Sequence, residues 1–267
     1  MSMSNSYESV AAGVDAGSTT TKAVVLKNGT QAGRAITATG ANVRKAADFV
    51  LAQAAEAAGV AADALERVVA TGYGRRLIES AGGTVTEITA LARGARMMYE
   101  GPEPLRTVLD IGGQDSKVIA LDDAGILRDF AMNDKCAAGT GRFLEVMARA
   151  LELDLDTLGR MPTSAARVLK VNSLCTVFAE SEVVSLLSQG EAVEDIIAGV
   201  NASVARRISA MARRVGVREP VLFCGGAAQN LGLRRALDEE LGVAVFVPEG
   251  PQFVAAYGAA IVAAGGR

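Results

Sequence analysis

The chain has 267 residues, half of them hydrophobic, enough for one large domain or two ordinary ones with real cores. A formal net charge of -3 with 21% charged residues offers no basic field to a nucleic-acid backbone or an anionic membrane, so neither partner is expected. Zero histidines exclude Ser-His-Asp and Cys-His relays and His-ligated zinc, and three cysteines, an odd count, speak against a disulfide framework.

The opening MSMSNSYESV has no charged segment leading into an apolar one, and no later run approaches the roughly 18 apolar residues of a membrane span, so a cytoplasmic protein is expected. GVDAGSTTTKAVVL (13–26) then reads as two strands joined by a tight turn of glycine and small hydroxyl residues. AADFVLAQAAEAAGV (46–60) has apolar residues at helical spacing, ERVVATGYG (66–74) is a short buried strand ending in a glycine turn, and EITALARGARMMYE (87–100) is helical. GPEP (101–104) breaks that helix and marks the first domain boundary.

VLDIGGQDSKVIAL (108–121) repeats the first hairpin without a gap: Asp15, Gly17, Thr21 and Lys22 match Asp110, Gly112, Ser116 and Lys117. An offset of 95 residues (Asp15 to Asp110) is too long for a solenoid and suits two duplicated halves. Further helices are predicted over about 141–151, 177–188 and 192–215. VLFCGG (221–226) is a strand running into helix QNLGLRRALDEELG, followed by strand VAVFVPE and an alanine-rich helix from about Phe253. Strands alternating with helices indicate an α/β chain.

Alone, each glycine hairpin is an ordinary turn or a phosphate site. Two matched copies favour the second, because each presents backbone N–H groups and hydroxyls (Gly17, Ser18, Thr19, Thr20; Gly112, Gly113, Ser116). Asp15 and Asp110 are then expected to hold hydrated Mg2+ and catalytic water, with Lys22 and Lys117 beside the phosphates. Gln114 or Asp115 is expected to position the attacking water. FCGGAAQN (223–230) is a plain βα turn or a ligand loop offering Gly225, Gly226, Gln229 and Asn230. Neither a Walker lysine motif nor a Rossmann glycine fingerprint is present.

The order of hairpin, second hairpin and Gly-Gly loop resembles the superfamily of sugar kinases, heat-shock chaperones and actin. That resemblance implies two duplicated ribonuclease-H-like domains around an ATP cleft: 1–104, completed by the C-terminal helix 253–267, and 105–252, which carries the cysteines and the adenosine loop.

NDKCAAGTGRF (133–143) sets Cys136 just ahead of a glycine turn, Gly139, Thr140 and Gly141, that is expected to face phosphate. Cys175 precedes the helical TVFAESEVVSLL, so both thiols are expected at or just before helix N-termini, where the dipole favours an anionic, metal-bound sulfur. Both are small buried hydrophobes or ligands; as ligands, two are too few for zinc or an iron–sulfur cluster, and a two-fold dimer supplies four. Cys224 lies in an apolar strand and reads as core, while Glu180 and Glu182 read as polar helix-face residues.

With GVDAGSTTTKAVVL, ATGYGR, LDIGGQDSKVI, MNDKCAAGTGRFLEVMA, CTVFAESEV and GGAAQN in this order, the chain resembles the ATP-dependent activators (component A) of 2-hydroxyacyl-CoA dehydratases. That family also includes the ATPase subunits of benzoyl-CoA reductases. The resemblance implies a homodimer with one bridging [4Fe-4S] cluster on Cys136 and Cys175 of each subunit. It also implies ATP hydrolysis to ADP, an electron taken from ferredoxin or flavodoxin, and delivery to an iron–sulfur dehydratase or reductase component. Leu91 departs from the family, where relatives often carry histidine. The rivals are a small-molecule kinase of the same fold without a cluster and a non-catalytic ATP-binding module.

Overall fold

The computed structural model describes residues 9–65, 67–161, 165–172 and 175–266. The opening segment 1–8, read above for a leader, and Glu66 at the start of a predicted strand lie outside them. Contacts divide the chain into two compact units: Met1–Met97 with Phe253–Arg267, and Met98–Gln252.

Unit 1 is built on a five-stranded sheet. Its strands are β1 (Val10–Ala16), β2 (Thr20–Lys27), β3 (Thr30–Ala38), β4 (Arg67–Thr71) and β5 (Gly83–Thr84), in the order β3-β2-β1-β4-β5. β1, β2 and β3 pair antiparallel, whereas β4 and β5 run parallel to β1. Alternation with period two splits the side chains between two layers. Ala12, Val14, Ala23 and Val25 pack on α1 (Val43–Ala57) through Ala47, Val50 and Ala54. Val24 and Leu26 pack on the chain's last helix (Val254–Ala263) through Ala256 and Ala260. Asn42 starts α1 by accepting the Lys45 N–H at 3.0 Å, satisfying one orphan donor of the first turn. α2 (Glu87–Met98) follows β5.

Unit 2 repeats the plan. Its strands are β6 (Thr107–Ile111), β7 (Ser116–Leu121), β8 (Leu127–Asn133), β9 (Val221–Cys224) and β10 (Val245–Phe246). They lie in the order β8-β7-β6-β9-β10, again antiparallel across β6, β7 and β8 and parallel across β6, β9 and β10. Its helices are α3 (Gly141–Ala150), α4 (Leu155–Arg160), α5 (Thr176–Ser188), α6 (Val193–Val215) and α7 (Leu231–Leu241). One core joins Leu109, Ile111 and Val118 of the sheet to Phe143 and Met147 of α3 and to Val204 and Ile208 of α6. Among the described residues no helix is long and apolar enough to cross a membrane.

Three strands escaped the sequence reading, β3, β8 and the two-residue β5. β3 and β8 are sheet edges, and β8 is largely exposed, so neither shows the buried periodicity that betrays a strand.

Candidate functional site

In unit 1 the strands β1 and β2 set Asp15 opposite Lys22 in register, and Lys22 Nζ reaches Asp15 Oδ2 at 3.0 Å. The turn between them carries Gly17 and Thr20, half-buried, and Ser18 and Thr19, exposed. The other carboxylate oxygen, Asp15 Oδ1, is buried and finds no hydrogen-bond partner among the described residues. A buried acceptor left this way costs about 1–3 kcal/mol, so the geometry suits a ligand that donates hydrogen bonds or carries positive charge. A hydrated magnesium ion meets that requirement.

In unit 2 the same positions are closed. Lys117, 2% exposed, lies 3.4 Å from Asp110 Oδ2 and 2.7 Å from Asp115 Oδ1, and Cys224 donates its S–H to Asp110 Oδ1 at 3.7 Å. Lys117 therefore pairs with two buried aspartates. Asp115 is bound to that lysine, while Gln114 lies exposed in the turn beside Gly112 and Gly113, so of the two expected water-positioning residues Gln114 is the accessible one.

Cys136 lies in the loop between β8 and α3, and that loop is tied to the hairpin. Gly141 N–H donates to Gly112 O and Arg142 N–H to Gly113 O, both at 2.8 Å, and Ser116 Oγ donates to Gly139 O. Asn133 Nδ2 adds hydrogen bonds to the carbonyls of Cys136 at 2.9 Å and Ala138 at 3.1 Å. Thr140 is buried, and its hydroxyl donates to Ala137 O at 2.7 Å. The donors of Thr140 and Gly141 are thus used internally. These residues connect the hairpin to the thiol loop. α3 also begins at Gly141 with Thr140 as its N-cap, so Cys136 sits in the loop upstream of the helix rather than at its terminus.

Cys175 does occupy the N-cap of α5. The loop before it is pinned from two helices. Glu182 of α5 accepts the Asn172 N–H at 2.7 Å, while Ser203 Oγ and an Arg206 guanidinium nitrogen of α6 donate to Asn172 O and Val171 O. Glu182 is therefore a loop-fixing residue, which its reading as a polar helix-face residue missed; Glu180 is exposed as expected. Four residues after Ser203 on α6, Arg207 packs against Gly139 of the other thiol loop, and two residues before Ser203 Asn201 accepts from Asn230 Nδ2 at 3.0 Å. Helix α6 thus touches both cysteine loops and the Gly-Gly turn.

In that turn Gly225 has φ +87°, Gly226 and Gln229 are exposed, and Asn230 caps α7 by accepting the Leu233 N–H at 2.9 Å. Both ends of the Asn230 amide are occupied, so it shapes the loop. Burial and the Asp110 carboxylate push the Cys224 thiol well above its ordinary range, which keeps it protonated. Cys136 and Cys175 are half-buried, and none of the three cysteines forms a disulfide. Two accessible soft donors at loop ends fit an iron–sulfur cluster once doubled by a second protomer. Within one chain no group of three His, Cys, Asp or Glu gathers to hold a metal among the described residues.

One residue pair lay outside the sequence reading. Register places Asp15 opposite Thr71 and Asp110 opposite Cys224, so the duplication extends to the fourth strand of each sheet. The glycine that follows is also equivalent. Gly72 has φ +89°, and a Cβ there would lie 2.6 Å from Ala16 O and Asp15 Oδ1. At Gly225 it would lie 2.4 Å from Ile111 O and 2.7 Å from Asp110 Oδ1.

Comparison with known proteins identifies relatives along nearly the whole chain. The 2-hydroxyisocaproyl-CoA dehydratase activator of Clostridioides difficile is 43% identical over 251 residues, 94% of this chain and 93% of that protein. The (R)-2-hydroxyglutaryl-CoA dehydratase activating ATPase of Acidaminococcus fermentans is 42% identical over 253 residues, 94% of this chain and 95% of that protein. A solved structure of the activator of the 2-hydroxyisocaproyl-CoA dehydratase from Clostridium difficile with bound ADPNP matches with a TM-score of 0.91. It is 41% identical and the match covers 96% of this chain and 95% of that one. A ROK family glucokinase from Streptomyces griseus, at 15% identity and TM-score 0.58, shares the fold alone, that of the sugar-kinase, heat-shock chaperone and actin superfamily. Residues 12–263 match the model of the BadF/BadG/BcrA/BcrD ATPase family, and the chain belongs to that family.

Proposed function

We propose that this protein is an ATP-hydrolysing, low-potential electron donor that activates a partner iron–sulfur 2-hydroxyacyl-CoA dehydratase. It works as a homodimer in the cytoplasm, with Cys136 and Cys175 of each protomer holding one bridging [4Fe-4S] cluster, and ferredoxin or flavodoxin restores its electron. A cluster held there supplies a store for a single electron. Val177 and Phe178, next to Cys175 and 64% and 66% exposed, supply apolar surface for the second protomer.

The hairpins at Asp15–Lys22 and Asp110–Lys117 take the phosphates of ATP, Asp15 and Asp110 organise magnesium and water, and Gln114 orients the attacking water. Gly225, Gly226 and Gln229 face the adenosine. The observation that carries the reading is the hydrogen bonding of the Cys136 loop to the second hairpin, through Gly141, Arg142 and Ser116. A shift of the hairpin on loss of the γ-phosphate drags the thiol loop with it. A conformational preference of a few kcal/mol between ATP and ADP states then corresponds to at most a few hundred millivolts, since one electron against about 100 mV costs roughly 2.3 kcal/mol.

Anaerobic purification tests the proposal. The expected product is a brown, oxygen-sensitive dimer with about four irons, lost completely on Cys136→Ala or Cys175→Ala while the chain still binds ATP. A colourless protein that reconstitutes no iron, or one that releases ADP only with a small-molecule acceptor, would defeat it.

A further inference from the structure

Unit 1 contains two buried oxygens with no hydrogen-bond partner among the described residues, Asp15 Oδ1 and Thr71 Oγ. Asp15 is 5% exposed and Thr71 fully buried. They are register partners at the carboxyl ends of the parallel strands β1 and β4, so they lie on neighbouring strands at the same level of the sheet. Gly72 follows, and the position its absent Cβ would take lies 2.6 Å from Asp15 Oδ1, so only a glycine lets the backbone pass this close to that oxygen. In unit 2 the equivalent carboxylate is already satisfied by Lys117 and by Cys224, the residue standing where unit 1 has Thr71.

The chemistry narrows the occupant. The Asp15 carboxylate repels a bare anion, so phosphate does not sit directly on this pair, and the Thr71 hydroxyl both donates and accepts. They suit a group that donates hydrogen bonds or carries positive charge, which a metal-bound water does in both senses. The geometry points to Thr71 as a further binding residue: with Asp15 it holds the hydration shell of the divalent cation that accompanies the nucleotide. This rests on the proposed nucleotide site at the β1–β2 hairpin. The thiol at position 224 is a weak hydrogen-bonding group and is already spent on Asp110, so unit 2 has no counterpart of the Thr71 hydroxyl.

The test titrates Mg2+ into the full-length protein at a saturating concentration of a non-hydrolysable ATP analogue and reads the thermal midpoint. Thr71→Val, which keeps the shape and removes the hydroxyl, is expected to raise the half-saturating Mg2+ concentration about tenfold, the loss of one good hydrogen bond. Thr71→Ser, which keeps the hydroxyl, is expected to stay within about twofold of the wild type. Should Thr71→Val not fold, the ratio between Thr71→Ser and Thr71→Ala reads the hydroxyl alone. Equal half-saturation for variants with and without the hydroxyl overturns the inference and leaves the nucleotide site standing. A wild-type midpoint insensitive to nucleotide and Mg2+ together overturns both.

Discussion

The two sheets share strand order, direction and hairpin, yet they treat the same aspartate in opposite ways. In unit 1 Asp15 keeps one oxygen on Lys22 and leaves the other without a partner, while in unit 2 Asp110 is enclosed by Lys117 and Cys224. The segment after the third strand differs as well. In unit 1 Thr21 of β2 bonds Thr39, just past the end of β3, and a short connection leads to α1. In unit 2 the equivalent Ser116 bonds Gly139, and the longer connection to α3 carries Cys136. The same frame occurs twice, and the two halves differ in whether the second oxygen of the aspartate has a partner among the described residues and in which half carries Cys136 and Cys175.

The largest expected effect tests the locked character of unit 2. Lys117→Met leaves Asp110 and Asp115 buried without their shared counter-charge, and breaking a buried ion pair from one side costs about 3–5 kcal/mol. Lys22→Met removes the counter-charge of a single aspartate, so about 1–2 kcal/mol is expected. Urea unfolding measures both. Equal losses would show that the two hairpins are energetically alike and would remove the asymmetry.

A second comparison asks whether the halves are alike where they should be. Gly72→Ala and Gly225→Ala each place a Cβ against a strand carbonyl in a backbone conformation that L-residues rarely adopt. Each is expected to lose about 1–3 kcal/mol of stability in the same unfolding measurement. If one alanine is tolerated and the other is not, the equivalence of β4 with β9 fails.

How much of this was legible in the sequence follows from which residues do the work. The hairpins repeat Asp, Gly, a hydroxyl residue and Lys at fixed spacing, so both could be read directly. The further equivalence of Thr71-Gly72 with Cys224-Gly225 could not, because only one glycine is shared and the register that aligns them is set by long-range pairing with β1 and β6. The edge strands β3 and β8 were invisible for want of a buried face. The internal roles of Thr140, Asn230 and Glu182 were also hidden. A residue type advertises what it can bond, and the choice between ligand and neighbouring backbone is made by packing. In each of these three the backbone or another side chain was the partner.

The smallest expected effect concerns the residue by which β9 differs from β4. The folded chain holds the Cys224 thiol protonated, because burial first and the Asp110 carboxylate second raise its pKa well above 9.0. In the unfolded chain the thiol ionises near its ordinary value. Below that value both states hold the proton and the contribution to stability is fully present. As pH rises past it, the unfolded chain releases a proton that the folded chain keeps, and stability is lost until the folded thiol also ionises. Between pH 8 and pH 10 this one group therefore makes the folded chain progressively less stable relative to the unfolded one. Cys224→Ser, with no group to ionise, is expected to flatten that decline. Parallel pH profiles for the two proteins would mean that the thiol is not held neutral, and that Asp110 is less enclosed than Lys117 and Cys224 make it.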